Sequence, residues 1–335
     1  MGQSNSVSPY SRFGLGDMVN PSFMQGFTMG QLSTALRDPL NLNLNNPAAS
    51  NALRLTTLEM SGRISIVDQS ANGLQTIQQT TSNFNYFAMG IPISENYGLS
   101  FGVLPFSAVG YRLSETEDLD DIGEVRRQYE GSGGLNKIYL NQALLLFDRL
   151  SVGVQLSYYF GSIDYRQDVR YDDASFLSSR YNRNYLVSDV NASFGLQYIQ
   201  PLGNDREMIL GARWEQNNDL ATTFTQAAYT YTAIGSQALP RDTLSSESSS
   251  EALKLPNQFS FGLSIGARHP DISSFAWMVG FDYGLAEWSR FVGLEASPQE
   301  LINSDRFSLG GEILPRYAFR NLYRSRDPFS GLKYR

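Results

Sequence analysis

The stretch LSVGVQLSYYFGSIDY, residues 150–165, decides the fold. Within it Val154 and Leu156 alternate with Gln155 and Ser157, so that apolar and polar side chains take turns along the chain. Side chains of a β-strand point to opposite faces at successive positions. The stretch therefore predicts a strand with one apolar and one polar face.

The same alternation recurs in ten segments. The predicted strands are 56–67, 83–93, 98–113, 137–147, 150–165, 186–200, 207–215, 257–268, 274–285 and 306–317. The fourth is ambiguous in register, because the run LLL at 144–146 places apolar groups on both faces.

The connections between these strands also alternate, in length. Short turns fall at 94–97, 148–149, 203–205 and 269–271, and long loops at 68–82, 114–136, 164–184, 216–256 and 286–305. Short turns on one side and long loops on the other are typical of outer-membrane barrels, whereas a Greek-key sandwich has no reason to keep this order. We predict an all-β, antiparallel up-and-down barrel in a bacterial outer membrane, in preference to a soluble β-protein.

Composition agrees with a barrel and excludes several other classes. Hydrophobic residues make up 41% of the 335 residues and aromatic residues 13%, yet no run approaches the ~18 apolar residues of a spanning helix. The net charge of −7 comes without a basic stripe, which argues against nucleic acid as a partner. The acidic cluster at 115–124 lacks the spacing of a calcium loop, so we interpret it as a solvated loop.

Catalytic chemistry is not indicated. The chain has no cysteine, which excludes disulfides and zinc–thiolate sites. Its single histidine, His269, falls in a predicted tight turn, and one histidine alone assembles neither a triad nor a metal site. We predict no catalytic residues, no metal and no cofactor, and hence no enzyme.

Residues 1–55 do not alternate. They read as turns and short helical pieces, and Asn46-Pro47-Ala48 is suited to begin a short helix, with Asn46 as its N-cap and Pro47 at the first helical position. We predict two parts: residues 1–55 as a plug, or hatch, inside the barrel, and residues 56–335 as the barrel.

Several of these N-terminal motifs carry a family resemblance. SPYSRFG at 8–14, Gly30, RDP at 37–39 and NPA at 46–48 together resemble the FadL/OmpP1/TodX family of outer-membrane barrels, in its Bacteroidetes branch. The resemblance implies a hatch within a barrel of about fourteen strands. The chain stops at GLKYR, 331–335, so we expect that strands are missing at its C-terminal end; a closed ten-stranded barrel is the alternative.

The third strand contains a proline at position 105, beside Gly102, Leu104 and Phe106. Proline lacks the amide that a central strand donates, so the strand must bulge, kink or lose a neighbour there. In the family resembled, a kink in the third strand opens a lateral window from the lumen to the bilayer. A sealed bulge is the alternative for these four residues.

Charged residues fall on the predicted inner faces. They are Glu59, Arg63, Arg213, Arg268, Asp282, Glu312 and Arg316. The lipid face penalises Arg or Lys by ~2–4 kcal/mol at mid-membrane, so they belong in the lumen. They can line a solute path, or pair with one another and with the hatch; we favour pairing, because buried charges need partners.

The function that the resemblance implies is an outer-membrane channel for hydrophobic small molecules, plugged by a hatch, with lateral exit at strand three. Its partners would be the lipid bilayer and a hydrophobic ligand, lipid or detergent. The alternative is a non-transporting, plugged barrel that acts as a subunit of an outer-membrane secretion or barrel-assembly complex and binds other outer-membrane proteins.

Overall fold

The computed structural model describes residues 6–19, 24–70, 76–120, 122–173, 175–234, 237–269, 272–292 and 301–313. The strands are β1 (Asp17–Met18), β2 (Thr57–Gln69), β3 (Ile77–Pro92), β4 (Tyr97–Pro105), β5 (Ser107–Leu119), β6 (Gly123–Leu146), β7 (Leu150–Tyr171), β8 (Ser178–Gly203), β9 (Arg206–Glu215), β10 (Asp219–Ile234), β11 (Gln237–Lys254), β12 (Gln258–His269), β13 (Ile272–Ala286) and β14 (Ser304–Ile313). Helix α1 spans Met24–Thr28, and 3₁₀ helices span Pro9–Arg12, Pro47–Ala52 and Trp288–Arg290.

The strands form one antiparallel wall in which neighbours in the sheet are close in sequence. Its order is β14-β13-β12-β9-β8-β7-β6-β4-β3-β2, with β5 beside β6, β1 beside β5, and β10 between β8 and β11. All ten predicted strands are present, and the third is divided into β4 and β5. This confirms the predicted fold class. None of the helices in the described part of the chain is long and apolar enough to cross a membrane.

The apolar faces of the wall point outward, as a membrane barrel requires. On β7, Val154, Leu156 and Tyr158 are 40%, 47% and 41% exposed. Gln155, between them, is only 1% exposed.

The prediction of long loops was wrong for much of the outer end. Residues 114–136 and 164–184 fall largely within β5, β6, β7 and β8, and most of residues 216–256 lie in the paired strands β10 and β11. These strand segments extend beyond the lipid, where both faces of a sheet can be polar. The apolar alternation therefore disappears although the strand continues; β11, for example, reads QALPRDTLSSESSSEALK.

The predicted acidic loop at 115–124 is likewise mostly strand. Glu115 and Glu117 lie in β5 and face β6, whose partners at these positions are Arg127 and Val125. Arg127 Nη1 lies 2.7 Å from Glu117 Oε2. The cluster is thus exposed and partly paired with arginine across the ladder, which is worth little in stability.

The N-terminal segment packs against the inward faces of the wall. The 3₁₀ helix Pro47–Ala52 contacts β4, β6, β7 and β8. A Cβ atom placed on Gly153 of β7 would lie 2.3 Å from the Ala48 backbone nitrogen, so only glycine permits this approach. Two apolar clusters, one containing Leu42 and Leu53 and the other Leu36, bury the segment against the wall.

We expect the substitution Gly153→Val to displace this helix, because the added side chain overlaps the Ala48 backbone. Overpacking of this kind costs about 1–3 kcal/mol. Limited trypsin digestion should then cleave faster after Arg37, which is buried in the intact protein. The matched control is Gly62→Val, since a Cβ there meets only the Asn83 oxygen, at 3.7 Å. Equal cleavage of the two variants would contradict the expectation.

Candidate functional site at the break in the barrel wall

The wall breaks at Phe106, between β4 and β5. Below the break, β4 pairs with β3 as far as Val103, opposite Phe87. Above it, β5 pairs with β6 and with the short β1, and not with β3 among the described residues. Phe106 donates its amide to the Leu135 carbonyl at 2.7 Å, so the chain keeps β6 as its neighbour while it leaves β3.

Residues 17–19 of the N-terminal segment lie in this break. Asp17 and Met18 pair with Ala108 and Ser107 of β5, and the Val19 amide donates to the Phe106 carbonyl at 3.0 Å. The position next to β5 that β3 would occupy in an unbroken wall is thus held by a two-residue strand from residues 6–19.

Two cavities meet at this strand. The lateral cavity, about 290 Å³, lies between the N-terminal segment and the wall and is lined in part by Ser6, Arg63, Ser65, Thr81, Asn83 and Phe84. The lumen cavity, about 340 Å³, is lined in part by Leu104, Phe106, Lys137, Arg213, Glu215 and Arg306. Met18, Val19 and Pro105 line both, so these three residues separate one space from the other.

The four residues singled out around the proline have different positions. Gly102 stays in the ladder, opposite Ala88 on one side and Tyr139 on the other. Leu104 is buried at 3% exposure in an apolar cluster with Tyr139. Pro105 ends β4, and Phe106 packs edge-on against the ring of Tyr159, with centroids 4.8 Å apart. The irregularity is therefore centred on Pro105 and Phe106, between Val103, the last residue paired with β3, and Val109, the first of β5 paired with β6.

The predicted N-terminal motif lies deep in the lumen. Asn46 is fully buried, and its Oδ1 accepts the Ala48 amide at 3.1 Å, as an N-cap does. Its Nδ2 donates to the Thr34 carbonyl at 2.7 Å and, at 3.3 Å, to the carbonyls of Leu196 on β8 and Ala212 on β9. Pro47 and Ala48 begin the helix that Asn46 caps.

A buried arginine connects the segment to the wall. Arg37 donates to Gln197 Oε1 of β8 at 2.9 Å and to Asn51 Oδ1 at 2.7 Å. Gln197 in turn donates to the Thr34 carbonyl at 3.0 Å. The contact of Arg37 with Gln197 was not predicted from sequence, because their separation of 160 positions leaves no local pattern.

Asp282 of β13 holds the segment from the other side of the lumen. Its Oδ2 accepts the backbone amides of Ser33 and Thr34 at 2.7 and 2.8 Å. The carboxylate is 3% exposed, so these two amides replace the water that it loses.

Two further predicted lumen carboxylates also contact the segment. Glu59 Oε1 accepts the Leu42 amide at 2.8 Å. Glu312 accepts Gln25 Nε2 at 3.5 Å. Like Asp282, both serve to bind residues 24–55 to the wall.

The predicted lumen arginines pair mainly within the wall. Arg213 forms an ion pair with Glu215, two residues along β9. Arg268 donates Nε to Glu207 Oε2 at 2.8 Å across the β12–β9 pair. Arg316 lies outside the described residues. Of the charged residues that line the lumen cavity, Lys137 and Glu215 were not predicted as lumen residues. Glu215 is the last residue of a predicted strand, and Lys137 begins the predicted strand whose register the LLL run leaves ambiguous.

The outer end of the lumen is filled by an apolar cluster. It lies on the inward faces of β5, β6, β7, β8, β10 and β11 and includes Leu15, Tyr159, Ile163, Tyr185, Leu220 and Phe224. The rings of Tyr185 and Phe224 stack with centroids 4.7 Å apart. The lumen cavity thus lies between this cluster above and residues 24–55 below.

Comparison with known proteins gives a family and a fold. The sequence profile described as BamG matches residues 1–334. The structure is similar to the CymD monoaromatic hydrocarbon channel (TM-score 0.53, 14% identity, 91% of this chain and 81% of that one). It is also similar to a Pseudomonas aeruginosa FadL homologue (TM-score 0.55, 13% identity, 89% and 78%). No curated protein matches the sequence significantly.

These likenesses confirm the FadL-like barrel fold that the sequence predicted. Assignment to a Bacteroidetes branch stays a prediction.

We expect Asp282→Ala to weaken the attachment of the N-terminal segment, because it leaves the amides of Ser33 and Thr34 buried without an acceptor. Each such loss costs about 1–3 kcal/mol. Urea unfolding followed by tryptophan fluorescence should show a lower midpoint. Asp305→Ala, at an exposed carboxylate of the neighbouring strand, is the control and should leave the midpoint nearly unchanged. A midpoint for Asp282→Ala equal to the control's would contradict the role of Asp282.

Proposed function

The chain belongs to the BamG family and has a FadL-like outer-membrane barrel fold, and from this premise we propose that it is an outer-membrane channel for hydrophobic small molecules. The protein is a barrel of the bacterial outer membrane and not an enzyme. The proposal concerns what passes through the barrel and where it leaves.

One observation carries the proposal: the lumen cavity and the lateral cavity adjoin at Met18, Val19 and Pro105. A solute in the lumen cavity is separated from the break in the wall by a two-residue strand. Displacement of β1 from β5 would join the two spaces and lead from the lumen to the bilayer.

The straight path toward the periplasm is less suited to an apolar solute. Residues 24–55 fill it and are bound by buried polar contacts of Asn46, Arg37 and Asp282. Moving these residues would break the hydrogen bonds and leave buried polar groups unpaired, which costs free energy. We therefore propose that residues 1–55 act as a hatch of which residues 24–55 stay in place, while β1 is displaced and an apolar solute leaves sideways at Pro105.

A disulfide provides a direct test. Met18 and Ser107 are direct partners in the β1–β5 pair, so their Cα atoms lie at about 4.5–5.5 Å, within the span of a disulfide. The chain contains no cysteine, so the variant Met18→Cys/Ser107→Cys forms only this bond. We expect oxidation to reduce uptake of a monoaromatic hydrocarbon into proteoliposomes severalfold, and a reductant to restore it.

The control locks a part of the wall that the proposal leaves fixed. Leu156 and Ala192 are direct partners in the β7–β8 pair, and Leu156→Cys/Ala192→Cys should not change uptake on oxidation. Uptake that is unaffected by either disulfide would contradict lateral exit past β1. No uptake by the parent protein would contradict the channel itself.

A second function is favoured by a different observation. The BamG profile spans residues 1–334, and the lumen is filled at both levels, by residues 24–55 and by the outer apolar cluster. A permanently filled barrel suits a non-transporting subunit of an outer-membrane secretion or barrel-assembly complex.

The two functions differ in what the locked protein can still do. If the chain is such a subunit, the oxidised Met18→Cys/Ser107→Cys protein should co-purify in mild detergent with the same outer-membrane proteins, at the same stoichiometry, as the parent. It should also restore outer-membrane barrel levels in a deletion strain. Failure of the parent protein to retain any outer-membrane protein would exclude this function.

A further inference from the structure

Beyond the lipid-facing belt, β6, β7, β8 and β10 continue as a sheet whose outward face turns polar. On β7 the outward side chains change from Leu156 and Tyr158 to Asp164 and Arg166, all on the same face and all exposed. The ladders on both sides of β7 run through this change without a register shift. The polar face is therefore continuous with the surface that meets the membrane.

A polar cavity of about 360 Å³ lies on this face. Its outward lining forms two adjacent rows across the strands: Ser132, Asp164 and Asn184 in one, and Glu130, Arg166 and Asn182 in the other. Asn184 Nδ2 donates to Asp164 Oδ1 at 2.7 Å. Carboxylates and amides side by side suit the hydroxyl groups of a sugar, which both donate and accept.

The cavity stands at a definite height above the bilayer. Tyr158 and Phe160, stacked at 5.9 Å, lie where the outward face changes from apolar to polar, and such rings sit at the membrane interface. Asp164 follows Phe160 by four positions, roughly 13 Å along a strand. With the tilt of barrel strands this is about 10 Å along the membrane normal, and a head-group layer is only about 5–8 Å deep. The cavity thus faces groups that protrude past phospholipid heads.

Arginine donors for an anion lie beside the carboxylates of Glu130 and Asp164 at this cavity. Arg112 and Arg166 both pair with Glu130, the second at 3.4 Å from Arg166 Nη1 to Glu130 Oε2. Two guanidinium groups thus share one carboxylate. Arg166 is 49% exposed in its side chain and is able to turn donors toward a phosphate, which arginine binds with its planar fork.

We infer that this cavity binds the phosphorylated sugar head group of an outer-leaflet glycolipid. The phosphate lies against Arg166 and Arg112, and the sugar hydroxyls lie against Asp164, Asn182 and Asn184. This site is on the outside of the wall and is independent of the proposed channel.

The test measures binding of bisphosphorylated lipid A, carried in detergent micelles, to the full-length protein. We expect the parent to bind lipid A and Arg166→Ala to bind it roughly tenfold more weakly, the loss expected for one charged hydrogen bond. Arg170→Ala is the matched control, since Arg170 is an exposed outward arginine of the same strand that does not line the cavity. Its affinity should equal the parent's. Heat-dependent gel mobility verifies that each variant is a folded barrel.

Three results would overturn the inference. The first is equal affinity of Arg166→Ala, Arg170→Ala and the parent. The second is equally tight binding of micelles that contain phosphatidylethanolamine in place of lipid A. The third is full displacement of lipid A by millimolar inorganic phosphate, which would make free phosphate the ligand.

Discussion

The structure depends on one constraint: inside a bilayer there is no water to satisfy backbone amides and carbonyls, so the strands must satisfy one another. The antiparallel wall does this from β2 to β14. The pairing of β4 with β3 ends at Val103, two residues before Pro105, which has no amide to donate. Part of the lost pairing is replaced by the N-terminal segment, because Asp17 and Met18 form a short strand beside β5. The break and its partial repair create the two adjoining cavities.

The same need for hydrogen-bond partners applies inside the barrel and explains why the N-terminal segment binds there. A lumen lined by charged and amide side chains is stable when each has a partner. The wall supplies acceptors such as Asp282 and Gln197, and residues 24–55 supply backbone amides and Arg37. Segment and wall therefore complete each other, and glycines such as Gly153 allow the backbones to approach closely enough to do so. Neither half satisfies its buried polar groups alone.

Sequence reasoning succeeded where lipid imposes a pattern. Alternation located all ten membrane strands, and the proline located the break to within one residue. It failed where water replaces lipid, since the outward faces of β10 and β11 are polar and only a few inward residues, such as Leu220, Phe224 and Leu253, are apolar. It also missed Lys137 as a lumen residue, and the contact of Arg37 with Gln197, because only the folded wall brings these two side chains together. Local patterns report the environment of a strand, and not its distant partners.

The N-terminal elements that contact the inside of the wall differ greatly in how firmly they are attached to it. Residues 24–55 are attached by several buried hydrogen bonds, two apolar clusters and close backbone packing. Strand β1 itself is attached by two paired residues and the bond from Val19 to Phe106, and each such bond contributes about 0.5–1.5 kcal/mol net. The residues before it are held by Leu15 in the outer apolar cluster and by Ser11 Oγ, which accepts the Gly110 amide at 3.0 Å. If anything moves, β1 moves first and the segment below it stays. A channel needs that movement, whereas a subunit of a larger complex needs only that the filled barrel keep its shape. The two functions therefore differ in whether Asp17, Met18 and Val19 move away from β5.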